Sequence, residues 1–229
     1  MPKSLSIILL AYNEASSITM AVDDIHRFCR QSALTYEIII VDDGSSDQTG
    51  ELARHLMRDN VRLISHARNL GMGASMQDGY NAAICDYMVA LPGDRQLRAD
   101  SLSAFLPHAT EDTVVLGRYP APHSGRRRAL MSKAFREFVV RVGRLTVDVS
   151  GAYLFSRRLY QESKISHKAA SNTFLYSFQL LESFKQHGAR FAVVEQVPFC
   201  REFGTSRVAR PGRILKIAGD ILKHRFSRN

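Results

Sequence analysis

Four short β-branched runs alternate with helical patterns between residues 5 and 91, and this alternation limits the folds open to the chain more than any other feature. Residues 5–10, 37–41, 61–65 and 87–91 read as strands. Residues 15–31, with Ile18, Ala21, Val22, Ile25 and Phe28 at helical spacing, read as a helix, and further helices are expected over 48–59 and 73–83. Strand, helix and strand at this spacing imply an α/β fold: a central, mostly parallel sheet flanked by helices, with right-handed crossovers. Such sheets bind ligands at the carboxyl ends of their strands. The stretches "YNE", "DDGSSD" and "PGD" all fall at those ends. The second half is less regular, with strands expected at 114–116, 152–155 and 191–199 and helices at 129–145, 172–187 and 213–226.

A length of 229 residues with 45% apolar side chains suits one domain with a substantial core, without low-complexity tracts or repeats. The apolar run at 4–11 is too short to span a bilayer and has no basic flank or cleavage site, so neither a transmembrane segment nor a signal peptide is expected. Cys29, Cys85 and Cys200 lie far apart, which points to reduced thiols rather than a disulfide framework or a zinc site. The net charge of +9 is uneven. Residues 126–144 carry seven bases against one acid and residues 201–229 eight against two, leaving the rest of the chain at −3. The basic character therefore belongs to two segments in the second half, and these call for an anionic partner.

No glycine-rich turn follows the first strand, where the chain reads "AYNEASS", and no GxxxxGK[ST] is present. Dinucleotide-dependent and P-loop chemistries are therefore disfavoured. The pair Asp42–Asp43 ends a buried strand, where two adjacent carboxylates repel and bring no stability. Such a pair can accept hydrogen bonds from a nucleobase N–H edge and from ribose hydroxyls. Ser45, Ser46 and Asp47 serve equally as ligand contacts or as the cap of the next helix.

In order along the chain, "SIILLAYNEASSI", "EIIIVDDGSSDQTGELA" and "HARNLGMGASMQDGYNAA" resemble the family 2 glycosyltransferases with the GT-A (Rossmann-like) fold. This resemblance implies a nucleotide site formed by Ala11, Tyr12, Asn13, Glu14, Asp42, Asp43, Gly44, Gly71, Gly93 and Asp94. It also implies a divalent metal ion, Mg or Mn, at an Asp-x-Asp after the fourth strand. Here that stretch reads "LPGDRQ": Pro92 replaces the first Asp, and Asp94 alone remains as metal ligand. One carboxylate can suffice, since magnesium keeps several waters and uses few protein ligands.

Downstream, "DVSGAYLFSRR" and "EQVPFCREFGTSR" look like segments of polyprenyl-phosphate sugar transferases of the dolichyl-phosphate mannose synthase type. The resemblance implies a UDP- or GDP-sugar donor and a polyprenyl phosphate acceptor. Asp94, Arg126 and Arg201 are the catalytic candidates, and Gln96, Arg126, Arg201, Ser206 and Arg207 the acceptor and phosphate contacts; Asp148 and Gly151 are weaker ones. Chemistry favours such an acceptor, because an ionised lipid phosphate is already a nucleophile and needs cations to hold it rather than a base.

The expected domain layout is a catalytic unit at 1–210 and a basic amphipathic helix at 211–229. Its apolar face, carrying Ile214, Ile217, Ile221 and Leu222, either packs on the domain or lies on an anionic membrane surface, where each base adds ~1 kcal/mol. This layout implies a peripheral protein at the inner face of the cytoplasmic membrane. No nucleic-acid-binding motif is found. Two alternatives stay open: transfer to a hydroxyl acceptor with Asp148 or Glu195 as base, and a catalytically silent nucleotide-sugar binding protein, favoured by Pro92 and by Met72.

Overall fold

The computed structural model describes residues 4–119, 151–163 and 173–197. In chain order these form β1 (Ser4–Ala11), α1 (Ile18–Gln31), β2 (Thr35–Asp42), α2 (Thr49–His55), β3 (Val61–Ser65), α3 (Met72–Ala82), β4 (Tyr87–Pro92) and β5 (Thr113–Arg118). Then follow β6 (Tyr153–Ser156), α4 (Arg157–Glu162), α5 (Thr173–Gln186) and β7 (Arg190–Glu195). The expected helices at 129–145 and 213–226 lie outside the described residues.

Among the described residues seven strands form one sheet, in the order β3-β2-β1-β4-β6-β5-β7. Of these seven, β6 alone runs against the others, pairing antiparallel with both β4 and β5. The apolar run Ile38–Val41 is explained by burial on both faces. Ile38 and Ile40 share one core with Ile7, Leu9, Val22, Ile25 and Phe28. Ile39 and Val41 face the other, with Ile8, Tyr80, Phe155 and Phe184. Alternate side chains of a strand point to opposite faces, so a strand covered by helices on both sides has no polar positions left to alternate.

Three boundaries differ from the sequence expectation by more than two residues. Helix α1 starts at Ile18 rather than residue 15, because the Glu14 carbonyl accepts the N–H groups of Ser17 and Ile18 while Ala15 N–H is drawn to Asp47. Helix α2 ends at His55, since Arg58 and Val61 exchange backbone hydrogen bonds in a tight turn that leads directly into β3. Strand β7 stops at Glu195, after which the Gln196 side chain turns inward to accept the Ala152 N–H and donate to Ser101. Two 3-10 segments, Ala99–Ala104 and Leu106–His108, and helix α4 were not expected from sequence. Cys29 and Cys85 are both free; burial pushes the Cys29 thiol up to about 12, which leaves it unreactive.

A buried carboxylate ties the amino-terminal ends of the strands together. Glu37 accepts from the Ser6 hydroxyl at 2.5 Å, from Ile84 N–H at 2.7 Å and from Arg62 Nε at 3.1 Å. Burial pushes its pKa up, but the Ser6 hydroxyl, the Ile84 N–H and Arg62 outweigh it and hold the carboxyl below its ordinary 4.5. A depressed folded value means that the stabilisation is fully present above the unfolded pKa and is lost as pH falls through the folded one. Glu37→Gln is therefore expected to cost ~2 kcal/mol at neutral pH. Urea unfolding at stepped pH should show the gap to wild type narrowing below pH 4.5; a gap constant with pH would contradict this.

Candidate active site

The strand order reverses at β1, with β2 on one side and β4 on the other, and the carboxyl ends of these three strands carry most of the residues singled out by sequence. In the sheet Ala11 pairs with Asp42, and Leu10 with both Val41 and Pro92. The loops after β1 and β2 are laced together. Asn13, at φ 57°, donates its N–H to Ser45 Oγ at 2.9 Å, and its side-chain oxygen accepts the Ser46 N–H at 2.8 Å. Glu14 N–H donates to Thr49 Oγ1 at 2.8 Å, and Ala15 N–H to Asp47 at 3.3 Å. Asp47 also accepts the Thr49 N–H and hydroxyl. Burial pushes the Asp47 pKa up, but these hydrogen bonds more than offset it and leave the carboxyl below its ordinary value. Ser45 and Ser46 thus bind the loop after β1, a role that neither reading from sequence included, while Asp47 does the same and also accepts the first N–H of α2, the capping role the sequence offered.

Asp42 and Asp43 are 6% and 4% exposed and point into the protein. Asp42 accepts the Ser45 N–H at 3.1 Å. Asp43 accepts Leu70 N–H at 2.8 Å and Gly71 N–H at 2.9 Å, and His66 Nδ1 lies 2.7 Å from it. His66 Nε2 in turn lies 3.1 Å from Asp78 on α3. The carboxylate pair therefore organises the loops of the cleft, holding Gly71 at the start of α3. Tyr12, Asn13, Glu14 and Gly44 keep partial exposure on the rim.

Across the crevice, Gly93 N–H donates to the Leu10 carbonyl at 2.7 Å, which sets the loop after β4 against β1. Half-buried Asp94 accepts the Gln96 N–H at 3.0 Å. Tyr119, just past β5, feels Asp94: burial first, then that negative charge, push its hydroxyl up to about 12 and keep it protonated. Among the described residues no group of three or more His, Cys, Asp or Glu is arranged to hold a metal ion. The donor set at Asp94 is a single carboxylate. That fits an ion completed by substrate oxygens and water, not one held in a protein cage.

Gly151 lies against Gly117 near the end of β5 and against the Gln196 side chain, and Glu195 faces solvent 3.6 Å from Arg118. Arg126, Asp148, Arg201, Ser206 and Arg207 lie outside the described residues. A cavity of about 440 Å³ among the described residues lies elsewhere, lined by Asp23, His26, Arg27, Arg30, Gln31 and Arg58. His26 bonds Tyr36 at the start of β2, which puts the cavity at the opposite end of the sheet. Its α1 cations lie toward the carboxyl end of that helix, where they complement the dipole. Sequence reasoning passed over Asp24, His66, Asp78, Arg95, Tyr119 and Gln196. The one available signal was Asp24, a carboxylate on the apolar face of an amphipathic helix.

A doubly wound sheet with acidic strand ends on both sides of the reversal point is the architecture of nucleotide-sugar-dependent transferases of the GT-A fold. Residues 6–183 match the Glycosyl transferase family 2 model, and the chain belongs to that family. It is 27% identical over 209 residues to the undecaprenyl-phosphate 4-deoxy-4-formamido-L-arabinose transferase of Pectobacterium carotovorum, covering 90% of this chain and 62% of that protein. The same-named protein of Yersinia pestis strain Pestoides F is 27% identical over 227 residues, covering 96% and 67%. Among solved structures, glucosyl-3-phosphoglycerate synthase from Mycobacterium tuberculosis with Mn2+, UDP and phosphoglyceric acid superposes with a TM-score of 0.69 at 20% identity, covering 97% of this chain and 78% of that one. Its complex with Mg2+ and UDP gives 0.67 at 19% identity, covering 97% and 79%. The structural likeness shows the fold; the family follows from the sequence match.

Proposed function

We propose that the protein transfers a sugar from a nucleoside-diphosphate sugar to a polyprenyl phosphate, and that the donor occupies the crevice between the ends of β2, β1 and β4. The observation that carries this reading is the pairing of the loops organised by Asp42 and Asp43 with the Asp94 loop across the reversal point of the sheet. Undecaprenyl-phosphate sugar transferases among the relatives favour the lipid acceptor. In this reading Tyr12, Asn13 and Glu14 form the rim against the nucleoside, and the Asp42–Asp43 brace keeps the rim rigid before the donor arrives.

Asp94 is the residue that would hold a divalent cation, which supplies neutralisation of the leaving diphosphate when bound. The Tyr119 hydroxyl, kept protonated, lies within electrostatic reach of it. Arg126, Arg201, Ser206 and Arg207 are proposed to receive the lipid phosphate, which attacks without prior deprotonation. Residues 1–210 are proposed as the catalytic unit. Residues 211–229 are proposed as a basic helix resting on the anionic cytoplasmic membrane face. No helix of the described residues is long and apolar enough to cross a membrane.

Incubation with labelled UDP- and GDP-sugars and undecaprenyl phosphate is expected to move label into the organic phase. Label found only in water-soluble products would favour a hydroxyl acceptor, and no turnover with any donor would favour a binding protein. A single-carboxylate site also makes a binding prediction. Mn2+ alone should bind weakly, and saturating UDP or GDP should tighten it by at least about 10-fold in calorimetry, because diphosphate oxygens supply the missing ligands. Equal affinity with and without nucleotide would argue for a complete protein site.

A further inference from the structure

We propose that Asp24, midway along α1, is a positioning residue that locks the loop after β4 so that Asp94 meets the donor's metal-bound diphosphate in a fixed orientation. The proposal rests on the donor and metal reading given above.

Asp24 is 4% exposed, on the face of α1 otherwise occupied by Ala21, Val22, Ile25 and Phe28. A carboxylate in such a place is costly unless paired. Two of its three partners come from the loop that carries Asp94. Arg95 Nε donates to Oδ2 at 2.9 Å, and Arg98 lies 3.7 Å from Oδ1, where Arg27 also donates at 3.1 Å. Arg95 adopts φ 58°, a left-handed conformation that a long side chain takes only when something holds it there. Asp24 is that hold. On the other side of Asp94, Gly93 is bonded to the β1 backbone, and Asp94 itself accepts from Gln96.

Every residue from 93 to 96 is thereby fixed by a named bond, and Arg95 ties the stretch across to α1, to Asp24 and through Nη1 to the Met20 sulfur at 3.4 Å. Where a site offers one carboxylate instead of several, the precision of that carboxylate decides the affinity. Asp24 also neutralises two guanidinium groups beside the proposed cation site. Its removal would act twice in the same direction, by loosening the loop and by leaving positive charge next to the ion.

The test is Asp24→Asn, which keeps shape and removes charge. In metal-free protein, hydrogen exchange of the amides at 93–96 is expected to accelerate at least about 10-fold while β1 and β4 stay protected. The Kd for Mn2+ at saturating UDP or GDP, measured by electron paramagnetic resonance well below Tm, is expected to rise about 10–100-fold. Arg95→Gln, which breaks the pair from the loop side, should reproduce the faster exchange and serves if Asp24→Asn does not fold; because it removes a positive charge instead of leaving one, its Kd for Mn2+ should rise less than that of Asp24→Asn. Wild-type exchange at 93–96 together with wild-type Mn2+ affinity in a folded variant overturns the proposal. Asp94→Asn separates the two readings: if it leaves Mn2+ binding unchanged, the metal assignment falls, and the lock is then decided by the metal-free exchange alone.

Discussion

Asp94→Asn is expected to lower sugar transfer by about 10²–10³-fold at saturating donor, with unchanged Tm. The substitution keeps an oxygen that can accept the Gln96 N–H, so the turn after β4 stays closed and the fold is untouched. What it removes is the negative charge that the leaving diphosphate's cation needs. In the proposed reading Asp94 carries that role among the described residues, because Pro92 stands where the resemblance places a second carboxylate and no cluster among them replaces it. Electrostatic contacts of this kind act on charge that develops in the transition state, so the loss should fall on kcat and on the metal requirement, with little change in thermal stability. Initial rates across a Mn2+ titration give the answer. A rate within a few-fold of wild type would remove Asp94 from the chemistry.

Gly44→Ala is expected to have the largest effect on stability of any single methyl addition in the cleft. Gly44 adopts φ 68°, and a Cβ there would stand 2.4 Å from the Arg68 carbonyl carbon and 2.7 Å from Arg68 Cα and Asn69 N. These are backbone atoms, so they yield only if the segment from Arg68 to Gly71 moves, and that segment carries the two amides that bind Asp43. Left-handed strain of about 1–2 kcal/mol adds to overpacking of about 1–3 kcal/mol, a total near 3 kcal/mol. For a chain of this size that is roughly 6–12 °C in Tm. Nucleotide affinity should fall with it, because the loop that moves also lines the cleft. Gly188 is the internal control: its φ is 78°, yet nothing lies within 4 Å of its added Cβ. Gly188→Ala should cost strain alone, about 1–2 kcal/mol, with nucleotide binding intact. Equal losses at both positions would mean that the clash with Arg68 and Asn69 contributes nothing.

Local pattern carried most of the architecture. The alternation of β-branched runs with helical spacing places β1 to β4 within a residue or two of their ends. That is possible because periodicity and propensity are properties of neighbouring residues. The doubled carboxylate at the end of β2 and the lone Asp94 at the end of β4 were visible for the same reason, since a polar residue that closes an apolar run needs no partner to be noticed. Boundaries were missed where a contact from far along the chain, or a tight turn, overrode the helical spacing. Helix α1 loses its first turn to Asp47, and α2 its last to the turn that opens β3.

What the residues do in the cleft was decided only in three dimensions. The sequence by itself determined an α/β chain with acidic strand ends facing one edge, because those features follow from spacing along the backbone. The tertiary structure decided that Asp43 spends its oxygens on Leu70 and Gly71, that Asp24 reaches Arg95, and that β6 enters the sheet reversed between β4 and β5. Each of these joins positions separated by at least 27 residues. The energy that selects such a pairing is the cost of burying a charge or an open strand edge without a partner, and that cost arises only once the chain has closed around it.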